Sequence, residues 1–266
     1  MIKLGQPAED YHLDPAIGSS RAQLMLDSPQ LFKDELDGLV EHTASAAKVF
    51  GTVFHLRVLQ PEEFHERIST GPINPKTGKP FGADTKAMQE WAAENPDKIA
   101  MGEAELATME RMIYRCPAEV RAIFARPGRI GASIYQTAEG VAVKCRPDHW
   151  HDDLVTDLKT IDDITGIRSS MRTWRYWFQQ EWYKRILLGE TGVPQRFQFV
   201  FAEKKPPYRW RVVHTNEEVC EEAALQVRGV LTMLREAQRT SDWADRMPLH
   251  ETITWPDCGH YEEGVA

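Results

Sequence analysis

Helical spacing of apolar residues governs the first half of the chain, and strand spacing takes over near residue 130. "SSRAQLMLDSPQLFKDEL" predicts two short helices broken at Pro29, with Ser19 or Ser20 as N-cap. "ASAAKVFGTVFHLRVL" predicts a helix of small and apolar residues that stops before Pro61, with Gly51 letting it approach a sheet closely. From Gly71 to about Asp84, "GPINPKTGKPFGAD" reads as a mobile Gly/Pro/Lys-rich loop. Leu106, Met109, Met112 and Ile113 give "EAELATMERMIYRC" an amphipathic face, and "PAEVRAIFA" follows as a Pro-led helix.

Beyond that point "ASIYQT", "GVAVKCRP" and "DLVTDLKT" alternate every second residue between short turns. A long helix is expected over roughly 166–188, then strands "RFQFVFAE" and "YRWRVVHT", then a last helix over about 216–238. The order is helices, three strands, a helix, two strands and a helix. It predicts an α/β (α+β) fold with a mixed central sheet flanked by helices. One domain is expected, with a helical N-terminal part (1–127), a core (128–240) and an irregular tail (241–266).

Composition narrows the class without naming a function. The 266 residues are 42% hydrophobic and 27% charged, as in a soluble globular protein. No apolar run approaches the ~18 residues of a membrane span. "MIKLGQPAEDYH" shows no secretory h-region, so a cytoplasmic protein is expected. Cys116, Cys145, Cys220 and Cys258 form no C-x-x-C pair, which predicts free thiols and argues against a zinc ribbon. The net charge of −8 disfavours a nonspecific DNA-coating protein, although a local basic surface remains compatible with it. "KTGKP" lacks the rest of a G-x-x-x-x-G-K-[ST] phosphate loop, so no ATP site is indicated.

The candidate chemistry lies in "VKCRPDHWHDDLVTDLKT". Strand geometry puts Val141, Val143, Cys145 and Pro147 on one face and Lys144, Arg146 and Asp148 on the other. Asp157 and Lys159 likewise share a face, with Leu158 opposite. With the apolar faces turned inward, Asp148, Asp157 and Lys159 converge on the polar side of two neighbouring strands. Paired carboxylates repel unless a cation sits between them, and hard oxygen donors suit Mg²⁺. Such an ion activates water and neutralises charge on a phosphoryl transition state. Lys159 could orient or help deprotonate that water, or stabilise charge as a donor. D-x-K alone is common at a solvated strand edge; the preceding "PD" is what gives it weight.

In the long helix, Ile167, Met171, Trp174, Phe178, Trp182 and Ile186 are expected to be the buried stripe. Arg168, Arg172, Tyr176, Gln179 and Tyr183 run beside it and suit a phosphate backbone, or alternatively packing on a neighbour. His55 lies on the small-residue helix, where a satisfied core or surface histidine is the plainer reading. "DHWHDD" tempts a metal assignment but reads better as an exposed loop between strands.

The set "GTVFH", "CRPD", "DLKT" and "QQEWY", in that order, resembles the PD-(D/E)XK nuclease superfamily, and within it the RecE C-terminal nuclease domain and related phage exonucleases. "YHLDPAIGSSRAQLMLDSP", "FGADTKAMQEWAAENPDK" and "FQFVFAEKKPPYRWRV" carry the likeness over nearly the whole chain. The resemblance implies a restriction-endonuclease-like core, with His55, Asp148, Asp157 and the Leu158 carbonyl as ligands of Mg²⁺ (Mn²⁺ accepted). It implies catalysis by Asp148, Asp157 and Lys159, with Gln179 and Tyr183 supporting the site and contacting the substrate; Tyr176, Arg172 and Arg146 are the further DNA-contact candidates read from the residues themselves. It further implies an ATP-independent 5′→3′ exonuclease on double-stranded DNA ends, a RecT-type annealing partner, and a ring-shaped homo-oligomer. One departure stands out: Gly131 occupies the place where the family often has Glu. Glu139, Asp152 or Asp153 are the candidate substitutes for it.

Overall fold

The computed structural model describes residues 1–40, 45–82 and 84–245. The chain begins with β1 (Ile2–Lys3), α1 (Ala8–Leu13), α2 (Ser19–Ala22), α3 (Leu24–Asp27), α4 (Pro29–Leu36), α5 (Ala46–Leu59) and α6 (Pro61–Arg67). β2 (Ile68–Ser69), β3 (Ile73–Asn74), β4 (Lys79–Pro80), α7 (Lys86–Glu94), β5 (Ile99–Ala100), α8 (Glu103–Tyr114) and α9 (Ala118–Phe124) follow. The second half contains β6 (Arg129–Ile130), β7 (Ser133–Ala138), β8 (Val141–Cys145), β9 (His149–His151) and β10 (Leu154–Ile161). It ends with α10 (Ile167–Thr173), α11 (Tyr176–Thr191), β11 (Arg196–Glu203), β12 (Trp210–Val213) and α12 (Glu217–Thr240).

A five-stranded sheet in the order β12-β11-β10-β9-β6 forms the centre. β10 and β11 run parallel from Leu154↔Arg196 to Ile161↔Glu203, and the other pairs are antiparallel. The parallel pair requires a crossover, supplied by α10 and α11. β10 is covered on both faces. Val155 joins Phe197, Phe199 and Phe201 in a core with Phe178 and Trp182 of α11 and Val227 and Leu231 of α12. Leu158 faces the other way into a core with Val200, Phe54, Met109, Met112 and Trp210. Each such side chain contributes roughly 1.5–3 kcal/mol by leaving water. The strand with the candidate carboxylate is therefore an interior one, as strands beside parallel neighbours are.

Several expectations change here. The three alternating segments are not one meander: β7 and β8 pair with β1 in a separate three-stranded sheet. β9 is the neighbour of β10, so Asp148 sits in the link between the two sheets rather than on a strand adjacent to β10. "DHWHDD" is not an exposed loop, because His149 and Trp150 are 2% and 3% exposed within β9. Lys144 is buried as well, donating to the Tyr11 and Asp14 carbonyls at 2.5 and 2.7 Å, so the charged face of β8 is covered by the N-terminal segment. The Gly71–Asp84 stretch contains the β3–β4 hairpin. Gly51 faces Thr160, yet an added Cβ would sit 3.8 Å from its Oγ1, so the helix-to-sheet distance does not demand glycine.

Pro29 does break the early helices, and the cap of α4 is Ser28, whose Oγ accepts from Leu31 N at 2.9 Å. Gly18, rather than either serine, precedes the first turn of α2. The predicted long helix is two helices. Arg175 adopts left-handed backbone, φ 45° and ψ 47°, between α10 and α11. That conformation costs a non-glycine residue roughly 1–3 kcal/mol, and Arg175 is held by a two-pronged bridge to Asp27 at 2.8 and 2.5 Å. The break turns Trp174 out of the expected stripe, leaving it 60% exposed. From the expected tail, Trp243 stacks on Phe32 with ring centres 5.4 Å apart, and residues 246–266, Cys258 among them, lie outside the described residues. Cys116, Cys145 and Cys220 are free thiols. Among the described residues no helix is long and apolar enough to cross a membrane.

Candidate active site

Three chain segments meet at the middle of β10. The register Thr156↔His149 continues to set Asp148 across from Asp157, and the Leu158 amide donates to Asp148 Oδ2 at 2.8 Å. α5 packs on β10 and brings His55 in from the side, with Nε2 against the Leu158 carbonyl oxygen and 3.7 Å from Asp148 Oδ2. α11 lies on the opposite face and delivers Gln179, whose Nε2 donates to Asp157 Oδ1 at 2.9 Å. Lys159 Nζ stands 2.6 Å from Asp157 Oδ2 and 4.8 Å from the centre of the Tyr176 ring.

The electrostatics follow from burial. Asp157 is 1% exposed. Burial pushes its carboxyl up to about 6, Lys159 opposing the rise and Asp148 adding to it. Burial works against the Lys159 charge too, but Asp157 and then Asp148 outweigh it and raise the ammonium above its usual range. Of this pair we hold the lysine to be firmly charged and the carboxylate to be the member that burial and Asp148 push upward. The Tyr176 hydroxyl is raised chiefly by burial, and that of Tyr183 is raised well above its usual value for the same reason, so both are neutral hydroxyls. Tyr183 is only 8% exposed and packs edge-on against Phe197, so it supports the site from beneath.

The donor chemistry suits a hard divalent ion. An imidazole nitrogen, a backbone carbonyl oxygen and a carboxylate oxygen converge at His55, Leu158 and Asp148. Asp157 Oδ2 is buried against the Lys159 ammonium, 2.6 Å away. Two carboxylates held close in a buried place are what a divalent cation would satisfy. No group of three or more His, Cys, Asp or Glu side chains among the described residues is already gathered as a cage, so the set depends on the Leu158 carbonyl. Two of the expected residues stay apart from it. Arg146 turns to Ser133 Oγ at 2.8 Å and lies over the Tyr11 ring, and Arg172 is exposed on α10. Sequence reasoning missed Tyr11, whose ring carries both Lys144 and Arg146; nothing in its local pattern marks a contact made across more than a hundred residues.

Residues 18–253 match the family described as a PDDEXK-like domain of unknown function (DUF3799). The chain belongs to this family. Asp148, Asp157 and Lys159, the motif residues expected from the sequence, are the ones that meet as described above. Among solved structures, the PDDEXK-like chain is similar to a protein of Eubacterium rectale called a "putative exonuclease", at 16% identity and a TM-score of 0.65, over 99% of this chain and 100% of that one. No curated protein matches. In this PDDEXK-like domain the Gly131 departure has a structural reason: φ is +54°, and a Cβ there would lie 3.2 Å from Arg146 Nη2. The candidate substitutes are engaged elsewhere, Glu139 with Arg185, Asp152 with His151 and Asp153 with Arg196.

Proposed function

We propose that the chain is a divalent-metal-dependent exodeoxyribonuclease that hydrolyses linear double-stranded DNA without ATP, 5′→3′, leaving 3′ single-stranded tails. The observation that carries this is the meeting of Asp148, Asp157 and Lys159 beside His55 and the Leu158 carbonyl. His55, Asp148, Asp157 and Leu158 would hold Mg²⁺ or Mn²⁺; when bound, the ion lowers the pKa of a water and balances charge gathering on the phosphate. Lys159 is held as an ammonium, so its contribution is donation to a phosphate oxygen or to the attacking water rather than removal of a proton. Gln179 fixes the Asp157 carboxylate through Oδ1, and Tyr176 backs the ammonium. The direction of digestion, a RecT-type annealing partner and a ring-shaped homo-oligomer are proposed from the RecE likeness alone.

The test is digestion of a duplex labelled at one 5′ or 3′ end, beside a closed circle, with Mg²⁺ and with chelator. Loss of the linear duplex from its ends, abolished by Asp157→Ala or Lys159→Ala with folding intact, is the expected result. Cutting of the closed circle would make the protein an endonuclease. Digestion by both variants at the parent's rate refutes the site, and DNA binding with no cleavage in either metal identifies a silent recombination module.

A further inference from the structure

We propose that His12, Lys48 and Arg146 form a seat for one backbone phosphate of the bound DNA strand, beside the metal ligands. The inference rests on the nuclease reading and extends it to how the strand is placed on the site.

The three groups come from distant segments and gather at Tyr11. Arg146 Cζ lies 5.6 Å from the centre of the Tyr11 ring, the His12 ring stands edge-on at 5.4 Å, and Lys144 Nζ is at 4.6 Å. Loss of water contact, then the charges of Lys144, Lys48 and Arg146, hold the His12 imidazole below its usual value, with Glu9 opposing. Lys48, on α5, therefore acts on the same spot as the two β8 cations. Lys144 is committed to the Tyr11 and Asp14 carbonyls, whereas neither Lys48 nor Arg146 makes an ion pair among the described residues. The carboxylates of the N-terminal segment are engaged elsewhere: Glu9 accepts from Arg67 at 2.8 Å, Asp14 accepts from the Ala16 amide at 2.9 Å, and Asp10 acts on Tyr135. Cations crowded together without an acid of their own are what an anion would satisfy. Ser133 Oγ, fully buried, takes one guanidinium N–H of Arg146 at 2.8 Å and leaves others for a two-pronged grip on phosphate.

The cluster borders the site through three contacts. Arg146 precedes Asp148 by two residues, and one glycine touches both: Gly131 N donates to the Asp148 carbonyl at 3.2 Å, and a Cβ on Gly131 would lie 3.2 Å from Arg146 Nη2. Lys48, Thr52 and His55, four and then three apart, share one face of α5. His55 meets the Leu158 carbonyl and Asp148 at one end of that face, and Lys48 stands roughly 10 Å along the helix from it. The Tyr11 hydroxyl feels Tyr183, and Tyr183 in turn feels Asp157. In a chain of net charge −8, this local excess of cations marks where a phosphate backbone can approach the carboxylates.

The test is fluorescence anisotropy in chelator, where no cutting occurs, on labelled duplexes that carry one neutral methylphosphonate linkage at successive positions from the end of one strand. In the parent, one position should weaken binding about 10-fold, the loss of one charge-assisted contact. Lys48→Gln and Arg146→Gln should each weaken binding of the unmodified duplex by a similar factor and lower the salt slope by about one. Both should be indifferent to the neutral linkage at that one position while keeping the parent's losses at the others; a merely structural residue would show no such position. Lys48 is exposed, so its substitution leaves the core alone even where Arg146→Gln, by giving up Ser133, disturbs folding. His12→Asp, which puts an acid into the seat, should weaken binding more than His12→Ala. Arg228→Gln, on the exposed face of α12, should keep the parent's whole position profile. Parent-like losses at every position in both Lys48→Gln and Arg146→Gln, or a salt slope unchanged in both, overturn the seat. If the parent binds none of the duplexes, the nuclease reading falls as well, so the two failures are distinguishable.

Discussion

Replacing Lys159 by Met keeps the aliphatic stem and removes the charge, and the structure gives the consequence a size. Nζ lies 2.6 Å from Asp157 Oδ2, with the two side chains 17% and 2% exposed. Without the amine, Asp157 keeps only the Gln179 donor on Oδ1, and its other oxygen is buried with nothing at all. Breaking a buried pair from one side costs roughly 3–5 kcal/mol. The carboxyl can escape part of that by taking a proton, already favourable below about 6, so about 3 kcal/mol is expected at pH 7 and less at pH 5. In urea unfolding this is a midpoint about 1 M lower for a slope near 3 kcal/mol per M. The double variant Asp157→Asn, Lys159→Met contains no stranded charge, and the amide oxygen at position 157 can still accept from Gln179. It should lie within about 1 kcal/mol of the parent, so the coupling in the cycle is at least about 2 kcal/mol, and larger by whatever Asp157→Asn alone costs through the stranded ammonium. Both proteins should be inactive on DNA, which separates what the pair does for the fold from what it does for chemistry. If Lys159→Met costs less than about 0.5 kcal/mol, or the double variant is no more stable than the single, the two groups are not the buried pair argued for.

Other outcomes follow from single contacts. Glu203 accepts from Arg209 Nη2 at 2.6 Å, Arg209 Nε at 2.8 Å and Ile164 N at 3.0 Å, holding its carboxyl at about 2. A lowered carboxyl contributes stability that is fully present above its unfolded value near 4.5 and lost as pH falls toward 2. Glu203→Gln should therefore cost on the order of 1–2 kcal/mol at pH 7, discounted for the half-exposed Arg209, with the difference from the parent shrinking below pH 4.5 in urea titrations. Gly51→Ala should raise stability by about 0.5–1 kcal/mol, since the new methyl meets only ordinary contact in a helix interior, and thermal unfolding would detect it. Mn²⁺ should support activity at least comparable to Mg²⁺, because imidazole binds transition ions better; a strict Mg²⁺ requirement in the digestion assay would count against His55 as a ligand. Gln179→Leu should reduce DNA digestion about 10-fold or more through the loss of a hydrogen bond to a charged group, read as a kcat effect with KM little changed.

Local pattern was enough to locate the elements and the motif. Period-2 spacing found β7, β8, β10, β11 and β12, and helical spacing found α5, α8 and α12, because one-sided burial writes its repeat into the chain. The order of "PD", "DLK" and "QQEWY" was legible for the same reason: each is a short-range feature. Packing decided the rest. That both faces of β10 are covered, making Asp157 a buried carboxylate rather than a solvated edge, depends on α5 and α11 arriving from either side. The break at Arg175 overrode an unbroken helical period, since the bridge to Asp27, distant in sequence, holds a backbone conformation that local propensity disfavours. Lys144 looked like surface charge until the N-terminal segment supplied two carbonyls for it. Residue order alone thus determined which groups the protein carries and in what register along each strand. Which of them are dry, paired or left open to solvent was decided by contacts between segments far apart in the chain, where the dielectric and the available partners are set.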